Sequence, residues 1–311
     1  MKPSTKRIIK AFLSPLWQSR LVRSVFACHF YRYVIIPSER VIALRKNEES
    51  LGDSYWAGRL RKFAHIVDKG LQRRDFTKGH GTTAYGQAKR ALSYIKSDEY
   101  LNDPSVKWAA KRLNEYEDFQ KGSLPQRAQE YVKTTCNYDY LIDAIKTRRS
   151  VRSYVQRPVT DQTVRKIVEV IDWSPTSCNR QTARVYATNN PELVKRCTAT
   201  CSGAACFTDI YAPLFFCFCA DTRLYEMPHE LQLPYVDVAL GVQNCNLVAH
   251  SLGISMTMLT WAQHTTQQER QLRRILKIPE HYQIIVNAVA GYPDGGVDAP
   301  ARKNTELILV H

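Results

Sequence analysis

The sequence contains no run of about 18 consecutive apolar residues, so it shows no clear membrane-spanning helix. Its first residues also lack the apolar core and small-residue cleavage site of a secretory signal peptide. Its nine cysteines are an odd number and include no CxxC pair, so neither a disulfide framework nor a paired-cysteine metal site is indicated. We therefore expect a cytoplasmic protein with reduced, mostly buried thiols and no bound metal.

Two nucleotide-binding patterns are missing as well. No Gly-x-Gly-x-x-Gly follows a strand-like run, so a Rossmann dinucleotide site is not supported. The glycine-rich stretch Gly70–Gly86 has no Gly-Lys-Ser/Thr ending and is not a Walker loop. Within it, Gly79-His80-Gly81 either holds an anion through backbone N–H groups or forms a solvated turn, and the turn is the favoured interpretation.

The composition is that of a folded protein, but its charge is unevenly distributed. The 311 residues are 44% hydrophobic and 23% charged, which leaves room for one large domain or two small ones. Residues 1–140 carry 26 basic and 14 acidic side chains, whereas residues 141–311 carry 18 and 15. The first 36 residues carry seven basic side chains and no acidic one. The positive charge therefore belongs mainly to the N-terminal part.

Residues 1–37 form a basic amphipathic segment. Ile9, Phe12, Leu13 and Leu16 recur at helical spacing among lysines and arginines, with Trp17 beside them. This pattern predicts either contact of residues 1–36 with an anionic membrane surface or a helix that packs on the rest of the protein. The first alternative would place a cytoplasmic protein at the inner face of the membrane. No nucleic-acid recognition motif accompanies the charge, so we expect no nucleic-acid partner.

Residues 38–135 are predicted to form a helical extension. Apolar residues recur at helical spacing in Tyr55–Lys69, Ala84–Ile95 and Val106–Phe119. Asp103-Pro104 is a suitable helix start, and Lys121-Gly122 is a suitable stop.

Residues 136–311 alternate between helix and strand patterns, which indicates an α+β or α/β class. The predicted helices are Leu141–Lys146, Asp161–Val170, Tyr235–Leu252 and Gln267–Leu276. The predicted strands are Ala183–Thr188, Leu214–Ala220, Ile254–Leu259 and Gln283–Ala290.

Four motifs in this part carry the chemistry. The run Arg148–Tyr154 has three arginines and two serines within seven residues, and arginine binds phosphate through paired charge-assisted hydrogen bonds. The loop Pro175–Gln181 offers hydroxyl and amide groups suited to a flat heterocycle. The long helix pattern Asp237–Gly253 contains Gln243-Asn244, and Gly291-Tyr292-Pro293 follows the last strand. Taken singly, each motif also fits an ordinary basic loop, turn or helix.

In this order and spacing the four motifs resemble the nitroreductase family of FMN oxidoreductases. The resemblance covers about Tyr138–Arg302. It implies an α+β fold, with a central, mostly antiparallel sheet flanked by helices and preceded here by a helical N-terminal region. It also implies an intertwined homodimer with FMN at the subunit interface. Hydride would pass from NAD(P)H through flavin N5 to an acceptor that the sequence does not identify, so the chemistry belongs to the flavin and no side chain is assigned as catalytic.

The resemblance further assigns residues to the cofactor. A phosphate and ribityl site is implied at one end, a ring-binding loop comes from the partner chain, and the backbone around Thr260 and Trp261 faces flavin N5. For the phosphate and ribityl site the resemblance implies Arg148, Arg149, Ser150, Arg152, Arg302 and Lys303. For the ring-binding loop it implies Pro175, Thr176, Ser177 and Asn179. For the side of flavin N5 it implies Thr260 and Trp261.

The sequence departs from the family pattern at several places, among them Thr176 for the first serine of the loop and Cys201–Thr208 where an Asn, Gln or Lys is common. These departures keep alternatives open. Thr182-Ala183 replaces the usual Pro-Trp, and Trp261 stands where a glycine is common. A non-catalytic flavin-binding protein and a membrane-surface interaction protein are therefore the alternative functions. A fainter likeness links the segment His65–Leu71 to extensions on nitroreductase-like proteins found with surface-polysaccharide genes.

Overall fold

The computed structural model describes residues 48–73, 75–125, 133–202, 204, 212–225, 230–261, 264–305 and 308–309. The basic amphipathic segment 1–37 lies outside these residues, and its contact with a membrane surface stays a prediction. Within the described part, no helix combines the length and the apolar character that crossing a membrane requires.

The extension is helical, as predicted. Its described helices are α1 (Gly52–Gln72), α2 (Thr82–Ser93), α3 (Asp98–Leu101) and α4 (Pro104–Lys121). Helix α4 begins because the Asp103 carboxylate accepts the free backbone N–H groups of Ser105 and Val106. It ends at Gly122, whose φ of 117° is accessible to glycine at little cost. Both predicted boundaries of this helix are confirmed.

The second half is built on a four-stranded sheet. Its strands are β1 (Ala183–Thr188), β2 (Leu214–Asp221), β3 (Ser255–Leu259) and β4 (Tyr282–Gly291). They lie in the order β1-β2-β4-β3, and every neighbouring pair is antiparallel. All eight residues of β2 are buried because this strand lies inside the sheet and both of its faces are covered. The predicted α+β class with an antiparallel sheet is confirmed.

Helices cover the sheet on both faces. They are α5 (Tyr138–Thr147), α6 (Asp161–Val168), α7 (Pro191–Thr198), α8 (Leu233–Ser251) and α9 (Thr266–Leu276). One core joins α6 and α8 to the alternate β2 side chains that include Phe216 and Phe218. The opposite face of β2 packs with Val194 of α7 and Leu272 of α9.

Helix α7 is absent from the elements predicted from the sequence. Its signals were present, because Asn190 caps it through the N–H of Leu193 and Pro191 occupies the first turn. The other boundaries differ from prediction by a few residues at most, as is usual where helix ends fray.

Helix α1 joins the extension to the sheet-bearing half. A Cβ atom on Gly58 would lie 2.3 Å from a methyl carbon of Leu224, so only glycine permits the observed approach. Leu224 is accordingly part of the hydrophobic core of the extension. Beside it, Arg184 donates to the Ser54 hydroxyl at 2.7 Å, and Arg223 donates to the Leu51 carbonyl at 2.9 Å. The two halves therefore share a packed and hydrogen-bonded contact.

Candidate functional site

The arginine-rich run leaves the end of α5 and is pinned to strand β3. The Ser255 hydroxyl donates to the Arg149 carbonyl at 2.8 Å and accepts the Val151 N–H at 3.1 Å. The Thr257 hydroxyl donates to the Val151 carbonyl at 2.6 Å. Because these bonds fix the backbone to a sheet, the arginine side chains project from a rigid support.

Arg148 lies in an uncompensated cluster of positive charge. Partial burial lowers the pKa of its guanidinium, and the nearby charges of Arg149 and Arg302 lower that pKa further. Within the described part of the chain, no carboxylate forms an ion pair with any of these three residues. An anion bound here would relieve the repulsion, since charges of one sign held together in a partly desolvated place destabilise one another. Arg302, from the end of the chain, thus lies close enough to Arg148 to lower its pKa, and their joint contact with one phosphate stays a prediction.

In the described part of the chain, the guanidinium groups of the predicted phosphate site hydrogen-bond only to nearby backbone carbonyls. Arg149 donates to the carbonyls of Lys146 and Arg148 at 2.5 and 2.9 Å, and its buried Nε has no hydrogen-bond partner among the described residues. Arg152 is exposed and makes one long contact, 3.5 Å, with the Ser150 carbonyl. Lys303 is exposed.

The predicted ring-binding loop has a strained backbone. Cys178, Asn179 and Gln181 have φ angles of 53°, 54° and 53°, in the left-handed region that non-glycine residues rarely adopt. Each costs on the order of 1–2 kcal/mol. Such strain persists only where the surroundings fix the conformation. The amide of Asn179 donates to the Thr176 carbonyl at 2.9 Å, and its side-chain oxygen accepts from Gln181 at the same distance.

Asp237 of α8 fixes the start of this loop. Its buried carboxylate accepts the backbone N–H and the hydroxyl of Ser177 at 3.0 and 2.7 Å. On its other oxygen it accepts the hydroxyl of Tyr225 at 2.7 Å. Burial raises the pKa of that tyrosine, and its contacts with Asp237 raise it too, so it remains a donor. The Ser177 hydroxyl thus donates its hydrogen to Asp237, and towards a ligand it can act only as an acceptor.

Arg180 fixes the end of the loop. Its side chain is 1% exposed, forms an ion pair with Glu230 and lies 5.1 Å from the ring centre of Tyr225. It also donates to the Ser177 carbonyl at 3.2 Å. Arg61, from helix α1 of the extension, donates to the carbonyl of Arg180.

The third predicted element follows strand β3. The Thr260 carbonyl accepts from the Ser202 hydroxyl at 2.9 Å. The Trp261 ring is buried and stacks on His264 with ring centres 4.1 Å apart. Its indole Nε1 has no hydrogen-bond acceptor among the described residues. His264 in turn lies 3.2 Å from a carboxylate oxygen of Glu269.

Some predicted site residues thus converge within one chain and others do not. Arg148, Arg149 and Arg302 come together, whereas no hydrogen bond or ion pair in the described part joins them to the loop Pro175–Gln181. Asp237 and Arg61 were not assigned to the site from the sequence. Each left a signal: Asp237 stands in the recognised helix motif, and Arg61 interrupts the apolar stripe of α1 at a position that faces the core.

The buried cysteines supply no reactive thiol in the described region. Cys197 and Cys201 lie in the core beside β2, and burial raises the pKa of each thiol to about 12. They are therefore protonated and unreactive near neutral pH. Among the described residues, no group of histidine, cysteine or acidic side chains is arranged to hold a metal ion.

Sequence comparisons find a family model that matches part of this half of the chain, and relatives that match about half of the whole chain. Residues 145–209 match the model of the nitroreductase family, a range that includes the arginine run and the ring-binding loop. A protein from Methanothermobacter thermautotrophicus, provisionally named NADH dehydrogenase/NAD(P)H nitroreductase, is 27% identical over 170 residues, which cover 53% of this chain and 86% of the relative. The FMN reductase [NAD(P)H] of Bacillus subtilis is 24% identical over 178 residues, 52% of this chain and 68% of that one.

A solved structure is similar over about half of the chain. The FMN-dependent nitroreductase of Clostridium difficile is 21% identical and has a TM-score of 0.47, covering 55% of this chain and 97% of that chain. The predicted resemblance to the nitroreductase family is confirmed, and it lies in the sheet-bearing half.

Proposed function

We propose that the chain is an FMN-dependent oxidoreductase of the nitroreductase type that takes electrons from NAD(P)H and passes them to an acceptor still to be identified. The observation that carries the proposal is the cluster of Arg148, Arg149 and Arg302, whose positive charge has no carboxylate partner in the described part of the chain. FMN ends in a phosphate, and a phosphate dianion is the kind of ligand that stabilises such a cluster. The relatives named as FMN reductases and NAD(P)H nitroreductases support the same cofactor and donor.

The residues present fit FMN at several points. Arg148, Arg152 and Arg302 supply guanidinium groups for the phosphate, and Ser150 and Lys303 add donors beside them. The buried Nε of Arg149 and Nε1 of Trp261 lack acceptors among the described residues, and a polar cofactor provides acceptors. When bound, FMN supplies the hydride-carrying ring, so the protein needs only to hold and orient that ring.

The loop Pro175–Gln181 is the proposed contact for the ring. Ser177 presents an acceptor because its proton is held by Asp237. Its neighbours Pro175, Thr176 and Asn179 lie on the same fixed backbone, with Thr260 and Trp261 proposed on the flavin N5 side. The loop makes no bond to the arginine cluster of its own chain in the described part, which supports a site assembled from two subunits.

An exposed apolar surface supports a homodimer. No residue of α5 is buried, although Leu141 and Ile145 form an apolar stripe that is 51% and 44% exposed. Helix α8 lies beside it and exposes Tyr235, Val236 and Leu240. Thr147 at the end of α5 contacts His250 near the end of α8 at 2.8 Å, so the two helices meet at these ends. A second copy of the chain is the proposed occupant.

We also propose the division into residues 1–37, 38–135 and 136–311, with the cofactor bound by the last. A flavin-binding protein without turnover is the second candidate. It is favoured by one observation, the bulky and buried Trp261 at the place proposed to face flavin N5.

The test is direct. The purified full-length protein is expected to take up FMN, show the flavin absorbance bands, and lose them anaerobically on addition of NADPH or NADH. Bound FMN that neither donor reduces would favour the protein without turnover. A protein that takes up no FMN at micromolar concentration would contradict the proposal.

The arginine assignment has its own test. Arg148→Ala should raise the Kd for FMN at least tenfold, since about 1.4 kcal/mol accompanies each factor of ten and a charge-assisted hydrogen bond is worth about 1.5–3 kcal/mol. Arg152→Ala should weaken binding in the same direction. Arg165→Ala is the matched control because Arg165 is an exposed arginine of α6, outside the cluster. Equal affinity in all three variants would remove the phosphate assignment.

A further inference from the structure

One buried side chain, Arg61, links the helical extension to the ring-binding loop. Arg61 of α1 is 6% exposed, and its Nε and Nη2 donate to the Arg180 carbonyl at 3.3 and 3.1 Å. Its Nη1 donates to the Ser105 hydroxyl at 3.2 Å. Two of the guanidinium nitrogens therefore donate to one backbone oxygen of the loop, while the third donates to a residue of α4.

The burial of this arginine is costly. Burial, together with the charge of Arg184, lowers the pKa of Arg61 to about 10, against weaker opposing contributions from Asp172 and Asp103. No carboxylate hydrogen-bonds to it in the described part of the chain. An aliphatic residue would fill a core-facing position of α1 without this desolvation cost. The hydrogen bonds of Arg61 to the Arg180 carbonyl of the loop explain why an arginine occupies this position.

The loop needs such support because of its backbone. The residues on both sides of Arg180 have positive φ angles, 54° at Asn179 and 53° at Gln181. The Arg180 side chain is held from the sheet-bearing half by Glu230 and Tyr225. Its carbonyl is held from the extension by Arg61. Removing Arg61 would leave a buried carbonyl without its two donors at the most strained part of the loop.

Helix α1 is positioned rigidly enough to act in this way. Gly58, one turn before Arg61, lies against Leu224 with no room for a Cβ atom. Ser54, on the same helix, accepts from Arg184 of strand β1. Arg61 is therefore presented from a helix that is fixed to the same half as the loop.

We infer that Arg61 is a positioning residue for the cofactor site, so that the helical extension, through its bond to the Arg180 carbonyl, holds the ring-binding loop in the conformation that receives FMN. This inference rests on the proposed function for its cofactor, but the positioning itself is measurable without any cofactor. It gives the extension a role in the site that the sheet-bearing half cannot perform alone.

The experiment compares Arg61→Met with Arg112→Met in the full-length protein. Arg112 is a matched control because it is a largely buried arginine of the same helical extension whose described contacts, Asp68 and Glu115, both lie inside the extension. Hydrogen exchange is followed at the amides of Asn179 and Gln181, which both donate to Thr176. Arg61→Met should speed their exchange at least tenfold, and Arg112→Met should change it less than twofold, even if both variants lower the Tm equally.

FMN binding is the second readout. Arg61→Met should raise the Kd for FMN at least tenfold, Arg61→Lys should fall between it and the unaltered protein, and Arg112→Met should bind normally. Equal loop exchange in the two methionine variants would overturn the inference, as would faster exchange with unchanged FMN affinity. If the unaltered protein binds no FMN, the proposed function is contradicted. The hydrogen exchange of the loop amides would still show whether Arg61 positions the loop.

Discussion

The hydrogen bond between Ser177 and Asp237 is the contact whose energy can be isolated most cleanly. Replacing Ser177 with alanine removes a hydroxyl donor 2.7 Å from the carboxylate, while the backbone N–H of the same residue still donates at 3.0 Å. Asp237→Asn removes the negative charge but keeps one oxygen for that N–H. The Tyr225 hydroxyl can then turn to Thr182, whose hydroxyl lies 2.8 Å away. Neither change opens a large cavity.

The expected magnitude follows from the number of bonds lost. A hydrogen bond to a charged acceptor contributes about 1.5–3 kcal/mol, so each single variant should lose about that much free energy of unfolding. Ser177→Ala removes the shared bond, whereas in Asp237→Asn the remaining oxygen still accepts it but without the charge that strengthens it. The coupling energy between the two changes is therefore expected to be about 1–2 kcal/mol.

Urea denaturation of the four proteins of this double-mutant cycle, without FMN, measures the coupling. Thr200→Val is a suitable control partner, because the buried Thr200 hydroxyl donates to the Cys197 carbonyl and makes no described contact with Asp237. Its effect should add to that of Asp237→Asn within about 0.5 kcal/mol. If Ser177→Ala and Asp237→Asn also add within that margin, then Asp237 does not hold the loop through the Ser177 hydroxyl, and the reasoning is refuted.

Three further predictions concern packing, pH and assembly. Gly241→Ala should lower the free energy of unfolding by about 1–3 kcal/mol, because the new Cβ would lie 2.5 Å from the Ile171 carbonyl oxygen. By contrast, Gly86→Ala in open space should raise it by about 0.5–1 kcal/mol. Burial lowers the pKa of His281 below its ordinary value of 6.5, so the unfolded chain binds a proton before the folded chain does. The free energy of unfolding, which is unaffected above that pH, should therefore fall as the pH drops below about 6.5. Urea midpoints should show a less steep fall in His281→Asn. The protein should have the mass of a dimer in light-scattering measurements at micromolar concentration and Ile145→Glu that of a monomer; a dimer mass in both would contradict the proposed interface.

The sequence predicted most of the fold because its local signals agree with its tertiary structure. Strand β1 begins and ends where predicted, and Asp103 and Gly122 bound α4 as expected. These signals act over a few residues, through side-chain alternation and capping, so they can be read without the rest of the chain. Helix α7 escaped notice because only two of its eight residues, Val194 and Cys197, are buried apolar positions.

The site was less accessible to prediction, because its parts are brought together by tertiary contacts. A shared phosphate contact of Arg148 and Arg302 was predicted from the motif order, and in the structure the charge of Arg302 reaches Arg148 and lowers its pKa. The contact between Arg61 and the Arg180 carbonyl spans 119 positions of the chain and has no local pattern. The positive φ angles at Cys178 and Asn179 were equally hidden, since neither residue type is the glycine that usually marks such a turn.

The contact between helix α1 and Leu224 has a practical consequence for anyone who shortens the chain to its sheet-bearing half. A fragment that starts at residue 136 keeps Leu224 but loses the helical bundle around it, which leaves a bare apolar side chain on the surface. The fragment also lacks Leu51, whose carbonyl accepts from Arg223, and Arg61, which donates to the backbone oxygen of Arg180. A stably folded fragment is thus expected to need more of the chain than the residues 145–209 that match the family model.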